Sequence, residues 1–196
     1  MRKLIIATNN AGKVREIKSI FAGIYDDVAS LKDEGIKIDV VEDGSTFEEN
    51  AAKKAVEVSK LVNCDVMADD SGLCVDGLGG APGIYSARYS AEGTDEANRA
   101  ALIEKVSTLP EKDRTARFMC AIVIANAGNV IFSCEAASDT GSIILEERGD
   151  NGFGYDPIFY LPEYAKTYAE MSSQDKNAIS HRARALEKAK EWLNSK

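Results

Sequence analysis

Two long apolar segments separated by a tight turn limit the folds that this chain can adopt. RTARFMCAIVIAN (114–126) and GNVIFSCEAASDT (128–140) are apolar and β-branched, and an AGN turn (127–129) connects them. This pattern predicts an antiparallel β-hairpin. Because helical segments alternate with short apolar runs elsewhere, we expect an α/β protein with a mixed sheet rather than a purely parallel one.

The remaining elements are predicted from hydrophobic spacing. Strands are expected at 3–8, 36–41, 65–70 and 141–147, and helices at 12–21, 46–62, 94–109 and 178–193. Thr46 and Thr94 are the expected N-caps, and Glu49 would complete a capping box with Thr46. The Gly-rich segment 71–90 is expected to be irregular.

Length, charge and cysteine content narrow the class of protein. The 196 residues fit a single domain spanning 1–196. The net charge of −8, with no visible basic face, predicts no nucleic-acid partner. No apolar run suits a signal peptide or a membrane span. The four cysteines form no CxxC pair and there is one His, which predicts reduced thiols in the cytoplasm.

The polar loop TNNAGK (8–13) lies between the first predicted strand and helix. Helix N-terminal amides favour an anion, and Lys13 in the first turn opposes the helix dipole unless a phosphate binds there. Gly12 would let a ligand approach the backbone. Further hydrogen-bonding groups come from Thr8, Asn9 and Asn10. The loop is not a Walker A motif, and an ordinary polar connection with a solvated Lys is the alternative.

An acidic set accompanies this loop. ADDSG (68–72) places Asp69 and Asp70 at the end of a predicted strand, where ligand sites of α/β sheets tend to lie. Carboxylates beside a phosphate indicate magnesium, which prefers oxygen ligands. The other members of the set are Glu42, Asp43 and Glu49. The alternative is a solvated loop in which one aspartate caps a neighbouring element.

Lys54 lies at the border of the apolar stripe of the predicted helix 46–62, whereas Lys53 points away from it. Asn50 lies one turn before Lys54 on the same side. Lys54 could therefore bury its stem and direct its ammonium into a cleft. The alternative is a lysine that only covers the flank of the core.

Two later segments carry candidate binding groups. In NGFGYDPIF (151–159), Phe153 lies between two glycines, and an aromatic ring on such a loop suits stacking on a flat ring. In ISHRARAL (179–186), the only His and Arg182 provide donors at a helix start. The alternatives are a turn whose aromatics fill the core and a charged surface helix. A Ser-His-Asp hydrolase using Ser71 is disfavoured because the GxSxG motif is absent.

The ordered set of motifs resembles the Ham1/RdgB family of inosine triphosphate pyrophosphatases. The motifs are TNNAGK, TFEENAAKKA, ADDSGLCVDGLGGAPGIYSARYS, GFGYDPIF and SHR, and the resemblance covers nearly the whole chain. It implies hydrolysis of ITP, dITP and XTP to the monophosphate and pyrophosphate, which keeps these purines out of DNA and RNA. It also implies Mg²⁺, a homodimer, and an ITPase/Maf-like two-lobed α/β fold with flanking helices around a long mixed, twisted sheet, its active-site cleft between the lobes.

The resemblance also implies roles for individual residues. Glu42 and Asp70 would hold the metal, with Asp69 and Glu49 as alternatives, and Asp70 would be the general base for the attacking water. Lys54 would join Lys13 and Asp70 in the catalytic set. The triphosphate would be cradled by Thr8, Asn9, Asn10, Ala11, Gly12 and Lys13, and Ser71 would contact the substrate.

The purine would be recognised elsewhere in the chain. Phe153 would stack on the base, and its wall would be formed by Gly154, Tyr155 and Asp156. Donors on Lys176, His181 and Arg182 would face the 6-oxo group of hypoxanthine or xanthine. The 6-amino group of adenine would leave such donors unpaired, which discriminates strongly between the bases.

Two other functions remain as alternatives. A Maf-like pyrophosphatase would act on methylated or pyrimidine nucleotides, but its motifs differ from the SHR and GFGYD set. A binding module would sense a purine nucleotide without hydrolysing it. Two lysines and a carboxylate cluster favour catalysis over sensing.

Overall fold

The computed structural model describes residues 2–196, and all counts below refer to that range. Within it the chain forms eight β-strands and five α-helices. The strands are β1 Lys3–Ile6, β2 Asp27–Ser30, β3 Asp65–Val75, β4 Thr115–Asn126, β5 Asn129–Ala137, β6 Gly141–Ile143, β7 Phe159–Leu161 and β8 Lys166–Thr167. The helices are α1 Ala11–Phe21, α2 Phe47–Ser59, α3 Asp95–Ser107, α4 Ser173–Ile179 and α5 His181–Asn194.

The strands form one mixed sheet, as predicted. Their order is β2-β1-β3-β4-β6-β7-β8, and β5 pairs with β4 outside this path. β1 is parallel to β2 and β3, whereas the pairs β4–β6, β6–β7 and β7–β8 are antiparallel. The predicted hairpin is present as β4 and β5. Ala127 and Gly128 in its turn have φ of 48° and 80°, values that suit a two-residue type I′ turn.

The chain divides into two compact units, which agrees with the two lobes that the resemblance implies. Unit 1 contains the chain up to Asp70, Cys120–Ala136 and Arg182–Lys196, and unit 2 contains Ser71–Met119 and Ala137–His181. The long strands β3 and β4 contribute residues to both units. Among residues 2–196, no helix is long and apolar enough to cross a membrane.

Unit 1 has a core on each face of its sheet because neighbouring strand residues point to opposite faces. One core joins α1 and α5 to strand residues that include Leu4, Ile6 and Met67. The other joins α2 to strand residues that include Ile5, Val66 and Ala68. The face on which a polar β3 residue lies therefore decides which helices supply its partners.

Unit 2 has its own aromatic core around Phe118. The ring stacks on Tyr168, with centroids 5.7 Å apart, and meets Phe159 edge to face at 4.9 Å. Leu102 and Val106 of α3 pack into the same cluster. This core supports the 151–159 segment, whose residues Tyr155 and Ile158 belong to it.

Some predicted elements differ from the structure. Residues 36–41 form no strand, and β2, which the sequence did not indicate, pairs with β1 instead. The strand predicted at 65–70 continues to Val75, so the irregular segment begins only at residue 76. The predicted helix 178–193 is interrupted at Ser180, whose ψ of 154° is extended, and this separates α4 from α5.

The predicted helix caps are largely confirmed. The hydroxyls of Thr46 and Thr94 accept hydrogen bonds from the amides of Glu49 and Ala97. The Glu49 carboxylate, which was expected to complete the capping box with Thr46, accepts from the amide and hydroxyl of Ser45 at 2.7 and 2.8 Å.

Candidate active site

The TNNAGK loop connects β1 to α1 at the carboxyl end of a parallel strand. Asn10 caps α1, and its Oδ1 accepts hydrogen bonds from the amides of Gly12 at 2.9 Å and Lys13 at 3.1 Å. The Thr8 hydroxyl accepts from the Asn10 amide at 3.2 Å. A phosphate that uses the first-turn amides would therefore have to exchange with the Asn10 side chain. Two exposed residues complete the loop, Asn9 and Ala11.

Asp69 and Asp70 lie inside β3, so their predicted position at a strand end is wrong. The pairing of β3 extends past the polar residues that suggested its end. Because adjacent strand residues face opposite sides, Asp69 shares the face of Met67, which packs toward α1 and α5. Asp70 shares the face of Ala68, which packs toward α2. The two carboxylates therefore have different partners.

Asp69 is fully buried and held by two cations. Lys13 Nζ lies 3.0 Å from Asp69 Oδ2, and Arg182 Nε donates to the same oxygen at 3.2 Å. Arg182 is also buried and donates through Nη1 to Glu16. Burial alone would raise the pKa of Asp69, but Lys13, Arg182 and Lys54 outweigh it and hold that pKa below its ordinary value. Asp69 is therefore a fixed negative charge that orients Lys13.

Asp70 lies beside the loop that carries Glu42. Lys54 Nζ lies 3.2 Å from Glu42 Oε2 and 3.4 Å from Asp70 Oδ1, so it bridges the two carboxylates. Fully buried Asn50 donates from Nδ2 to Asp70 at 3.3 Å, while its Oδ1 accepts from the Gly44 amide at 2.8 Å. Asn50 thereby ties the Glu42 loop to β3.

The electrostatics distinguish Asp70 from Asp69. Burial raises the pKa of Asp70 above its ordinary value, since the lowering by Lys54 and Lys13 is incomplete and Glu42 adds a like charge. Burial would lower the pKa of Lys54, but Asp70, Asp69 and Glu42 raise it, so Lys54 stays protonated. Asp70 is thus a carboxylate whose proton affinity exceeds that of its neighbour.

The predicted helical phase of the two lysines in α2 is confirmed. The Lys54 side chain is 13% exposed and turned toward Asp70, whereas that of Lys53 is 41% exposed and pairs with Asp43, itself 69% exposed. Adjacent lysines thus have different environments because 100° of rotation separates them on the helix.

The metal-ligand alternatives are occupied elsewhere. Glu49 binds Ser45 at the start of α2, and Asp69 binds Lys13 and Arg182 on the other face. Within residues 2–196, no group of three or more His, Cys, Asp or Glu side chains is arranged to hold a metal ion. Of the predicted metal ligands, this leaves Glu42 and Asp70. Both carboxylates point to Lys54 Nζ, so a positive charge already lies between them.

Unit 2 contains the residues predicted to contact a base, except Arg182. Lys176 Nζ donates to Asp156 Oδ2 at 2.7 Å, and both side chains are buried. The same ammonium lies 4.7 Å from the centroid of the Phe153 ring and 5.6 Å from that of Tyr168. The Phe153 amide donates to Asp156 Oδ2 at 2.9 Å. The structure therefore brings a ring and a buried ammonium together around Asp156.

Gly152 and Tyr155 hold the rest of the 151–159 segment in place. Gly152 has φ of 79°, and an added Cβ would lie 2.0 Å from Asp156 Oδ2, so only glycine fits. Tyr155 is buried and its hydroxyl donates to the Ser86 carbonyl at 2.7 Å. Tyr155 therefore anchors the segment to the 3₁₀-helix Gly83–Arg88.

The SHR motif distributes its residues between the units. Buried His181 stacks on Phe118 in unit 2, with centroids 4.8 Å apart and planes 11° from parallel. Arg182 belongs to unit 1 and its bonds go to Asp69 and Glu16. The predicted substrate contact Ser71 lies within β3 and is partly buried.

Two residues of α3 that bind the Phe153 loop escaped the sequence prediction. Asp95 accepts from the Gly154 amide at 2.8 Å, and Arg99 donates to the Gly154 carbonyl at 2.9 Å. Because they are four residues apart on one helix face, the sequence could have predicted that both side chains contact the same group. That partner lies more than fifty residues away, which helical spacing cannot indicate.

Comparisons with known proteins place these motifs in a family. The Ham1 family model matches residues 4–192. A protein of Clostridium perfringens named dITP/XTP pyrophosphatase is 51% identical, with 98% of each chain covered. One of the same name from Geobacillus kaustophilus is 50% identical over 97% of this chain and 94% of its own.

Solved structures agree with this assignment. The Ham1 protein of Staphylococcus aureus superposes with a TM-score of 0.86 at 41% identity and covers 99% of both chains. A HAM1 protein from Coxiella burnetii gives a TM-score of 0.88 at 36% identity over both full chains. By sequence and by fold, the chain belongs to the Ham1 family.

Proposed function

We propose that this protein hydrolyses dITP, XTP and ITP to the nucleoside monophosphate and pyrophosphate, and so removes non-canonical purines from the nucleotide pool. The names of its relatives and the order of its motifs support this proposal. The observation that carries it is the arrangement of Asp70, Glu42 and Lys54. In this arrangement Asp70 is a base with a raised pKa, Glu42 is a second carboxylate and Lys54 is a protonated amine. All three lie in unit 1, which also contains the TNNAGK loop.

Unit 1 is proposed to handle the triphosphate. Lys54 and Lys13 would neutralise phosphate oxygens, and the first turn of α1 would add backbone donors. Asp69 holds the Lys13 ammonium by an ion pair of 3.0 Å and so limits the positions that it can occupy. Positioning and charge neutralisation would supply most of the rate acceleration, without a covalent intermediate.

Glu42 and Asp70 fit a divalent cation, and we propose Mg²⁺. Both are hard oxygen donors, and their convergence on the Lys54 ammonium marks a position where positive charge is stabilised. Two protein carboxylates suit an ion that takes its other ligands from water and phosphate. When bound, the ion would offset triphosphate charge and lower the pKa of a nearby water.

Asp70 is proposed both to hold the ion and to accept the proton of the attacking water. A bound cation would weaken Asp70 as a base, and the lowered pKa of a water beside the ion would offset that. A general base works best when its pKa approaches the working pH, and burial raises the pKa of Asp70 in that direction. Asn50 holds one oxygen of Asp70 by a bond of 3.3 Å, which orients the carboxylate. Lys54 stays charged beside it and would stabilise the negative charge that develops on the phosphate.

Unit 2 is proposed to select the base. Phe153 would stack on the purine, and Lys176 has only donors, so it would bind a 6-oxo group and reject a 6-amino group. Asp156 fixes the Lys176 ammonium at 2.7 Å. Arg182 is proposed as a further donor to the base, and its bonds to Asp69 and Glu16 would hold the guanidinium in a set orientation.

Pyrophosphate release from dITP, ITP, XTP, GTP and ATP, with and without Mg²⁺, tests the proposal. We expect rapid release from the first three substrates and strong dependence on Mg²⁺. Preference for methylated or pyrimidine nucleotides would indicate a Maf-like enzyme instead. Nucleotide binding without any release would indicate a sensor.

The assembly and location of the protein are part of the same proposal. The four cysteines carry free thiols, which suits the reducing cytoplasm. We propose a cytoplasmic homodimer on the basis of the family resemblance. Sedimentation equilibrium of the purified protein would measure its mass against the 21.2 kDa of one chain.

A further inference from the structure

The loop that carries Phe153 is held by charged side chains at three successive peptide groups. The Phe153 amide donates to Asp156 at 2.9 Å, and the next amide, of Gly154, donates to Asp95 at 2.8 Å. The Gly154 carbonyl then accepts from Arg99 at 2.9 Å. Hydrogen bonds to ionised groups are stronger than neutral ones, so these bonds define the backbone orientation on both sides of the Phe153 side chain.

Asp95 and Arg99 come from a single rigid element. They lie four residues apart on α3, on the same helix face. The Thr94 hydroxyl caps α3 by accepting from the Ala97 amide at 3.2 Å, which holds the first turn in place. Arg99 is buried and its Nε donates to Glu147 at 2.8 Å, so its guanidinium is oriented as well.

The loop needs such restraint. Gly152 and Gly154 both have positive φ, 79° and 61°, and flank Phe153. An added Cβ on Gly154 would meet nothing within 4 Å, so the space on that side of the glycine is open. Glycine is the residue with the greatest backbone freedom, and the hydrogen bonds with Asp95 and Arg99 restrain Gly154.

We infer that Asp95 and Arg99 are positioning residues that orient the Phe153 ring for the purine. This inference rests on the proposed stacking role of Phe153. Neither residue is assigned a contact with the substrate; both act through the Gly154 peptide. Loss of either bond would leave the triphosphate groups of unit 1 intact but let the ring leave its stacking position. The expected effect is on nucleotide binding rather than on turnover.

Asp95→Ala tests the inference, and Glu96→Ala is its matched control. Both variants remove one negative charge from the first turn of α3, but the contact with Gly154 belongs to Asp95. We expect Asp95→Ala to raise KM for dITP about tenfold with kcat within about twofold, and Glu96→Ala to leave both nearly unchanged. Asp95→Asn keeps the shape and one acceptor oxygen and should restore most of the affinity.

Two binding measurements separate positioning from a general structural role. Calorimetry with inosine monophosphate should show the same weakening as KM, whereas inhibition by inorganic triphosphate, which has no base, should not change. In protein that already carries Phe153→Ala, the added Asp95→Ala change should weaken mononucleotide binding by less than about twofold. The two effects are not additive because both changes act on the same stacking contact. Thermal unfolding verifies that each variant is folded.

Full additivity of Asp95→Ala and Phe153→Ala, or equal effects of Asp95→Ala and Glu96→Ala, would overturn the inference. So would an equal loss of inorganic triphosphate binding. If wild-type protein released no pyrophosphate from dITP, the proposed function would fail instead. The comparison of mononucleotide binding would still test the role of Asp95 in that case.

Discussion

Replacing Asp69 by Asn should strongly lower the free energy of unfolding, although Asp69 is not the proposed general base. The carboxylate is fully buried and accepts from Lys13 at 3.0 Å and Arg182 at 3.2 Å. Asn keeps the shape but removes the negative charge, which leaves the buried Arg182 guanidinium and the partly buried Lys13 ammonium with less compensation. Loss of one partner from a buried ion pair typically costs about 3–5 kcal/mol, a large part of the ~5–15 kcal/mol stability of a typical protein.

Asp43→Asn is the matched control for this experiment. Asp43 also pairs with a lysine, but both side chains of that pair are largely in solvent. Exposed ion pairs contribute little to stability because water and salt screen them. We expect the urea midpoint to fall clearly for Asp69→Asn and to change little for Asp43→Asn.

The pH dependence gives a second check with a definite sign. Because folding lowers the pKa of Asp69, its ionised form stabilises the protein above the unfolded pKa of about 3.9. That contribution is lost as the pH falls from there toward the lower folded pKa. The stability gap between wild type and Asp69→Asn should therefore narrow below about pH 4. Equal urea midpoints for Asp69→Asn and Asp43→Asn at neutral pH would refute the reasoning.

Three kinetic predictions follow from the same geometry. Asp70→Asn should lower kcat about a thousandfold, or ~4 kcal/mol at ~1.4 kcal/mol per tenfold, and a loss below tenfold would remove Asp70 as the base. Lys54→Ala should lower kcat/KM more than about tenfold while Lys53→Ala changes it less than about twofold, since only Lys54 faces Asp70; equal effects would contradict this. Arg182→Lys keeps the charge beside Asp69 but loses the planar fork, so the ITP-to-ATP ratio of kcat/KM should fall about tenfold; an unchanged ratio would argue against base contact.

Local signals predicted much of the fold. The β4–β5 hairpin, the caps Thr46 and Thr94, and the different directions of Lys53 and Lys54 depend on residues close together in sequence. Periodicity and capping chemistry describe such interactions well. For the same reason, the bond from the Phe153 amide to Asp156 lies within one short motif.

The errors concern long-range pairing. Residues 36–41 alternate like a strand, but the position beside β1 is taken by β2, whose DVAS sequence carries almost no hydrophobic signal. Asp69 and Asp70 looked like the end of a strand because two charges and a glycine follow the apolar run. The strand β3, whose other neighbour is β4, continues through them to Val75, and such pairing depends on segments far away in sequence.

The alternation of Asp69 and Asp70 in β3 also makes catalytic activity a sensor of correct refolding. Depending on its direction, a slip of β3 by one residue would place Asp70 beside Lys13 and Arg182 with Ser71 beside Lys54, or would place Ala68 and Asp69 at those two positions. Such a molecule would retain its strand but lack a carboxylate either beside Lys13 and Arg182 or beside Lys54. The specific activity recovered after dilution from urea should therefore count only molecules whose β3 register is native.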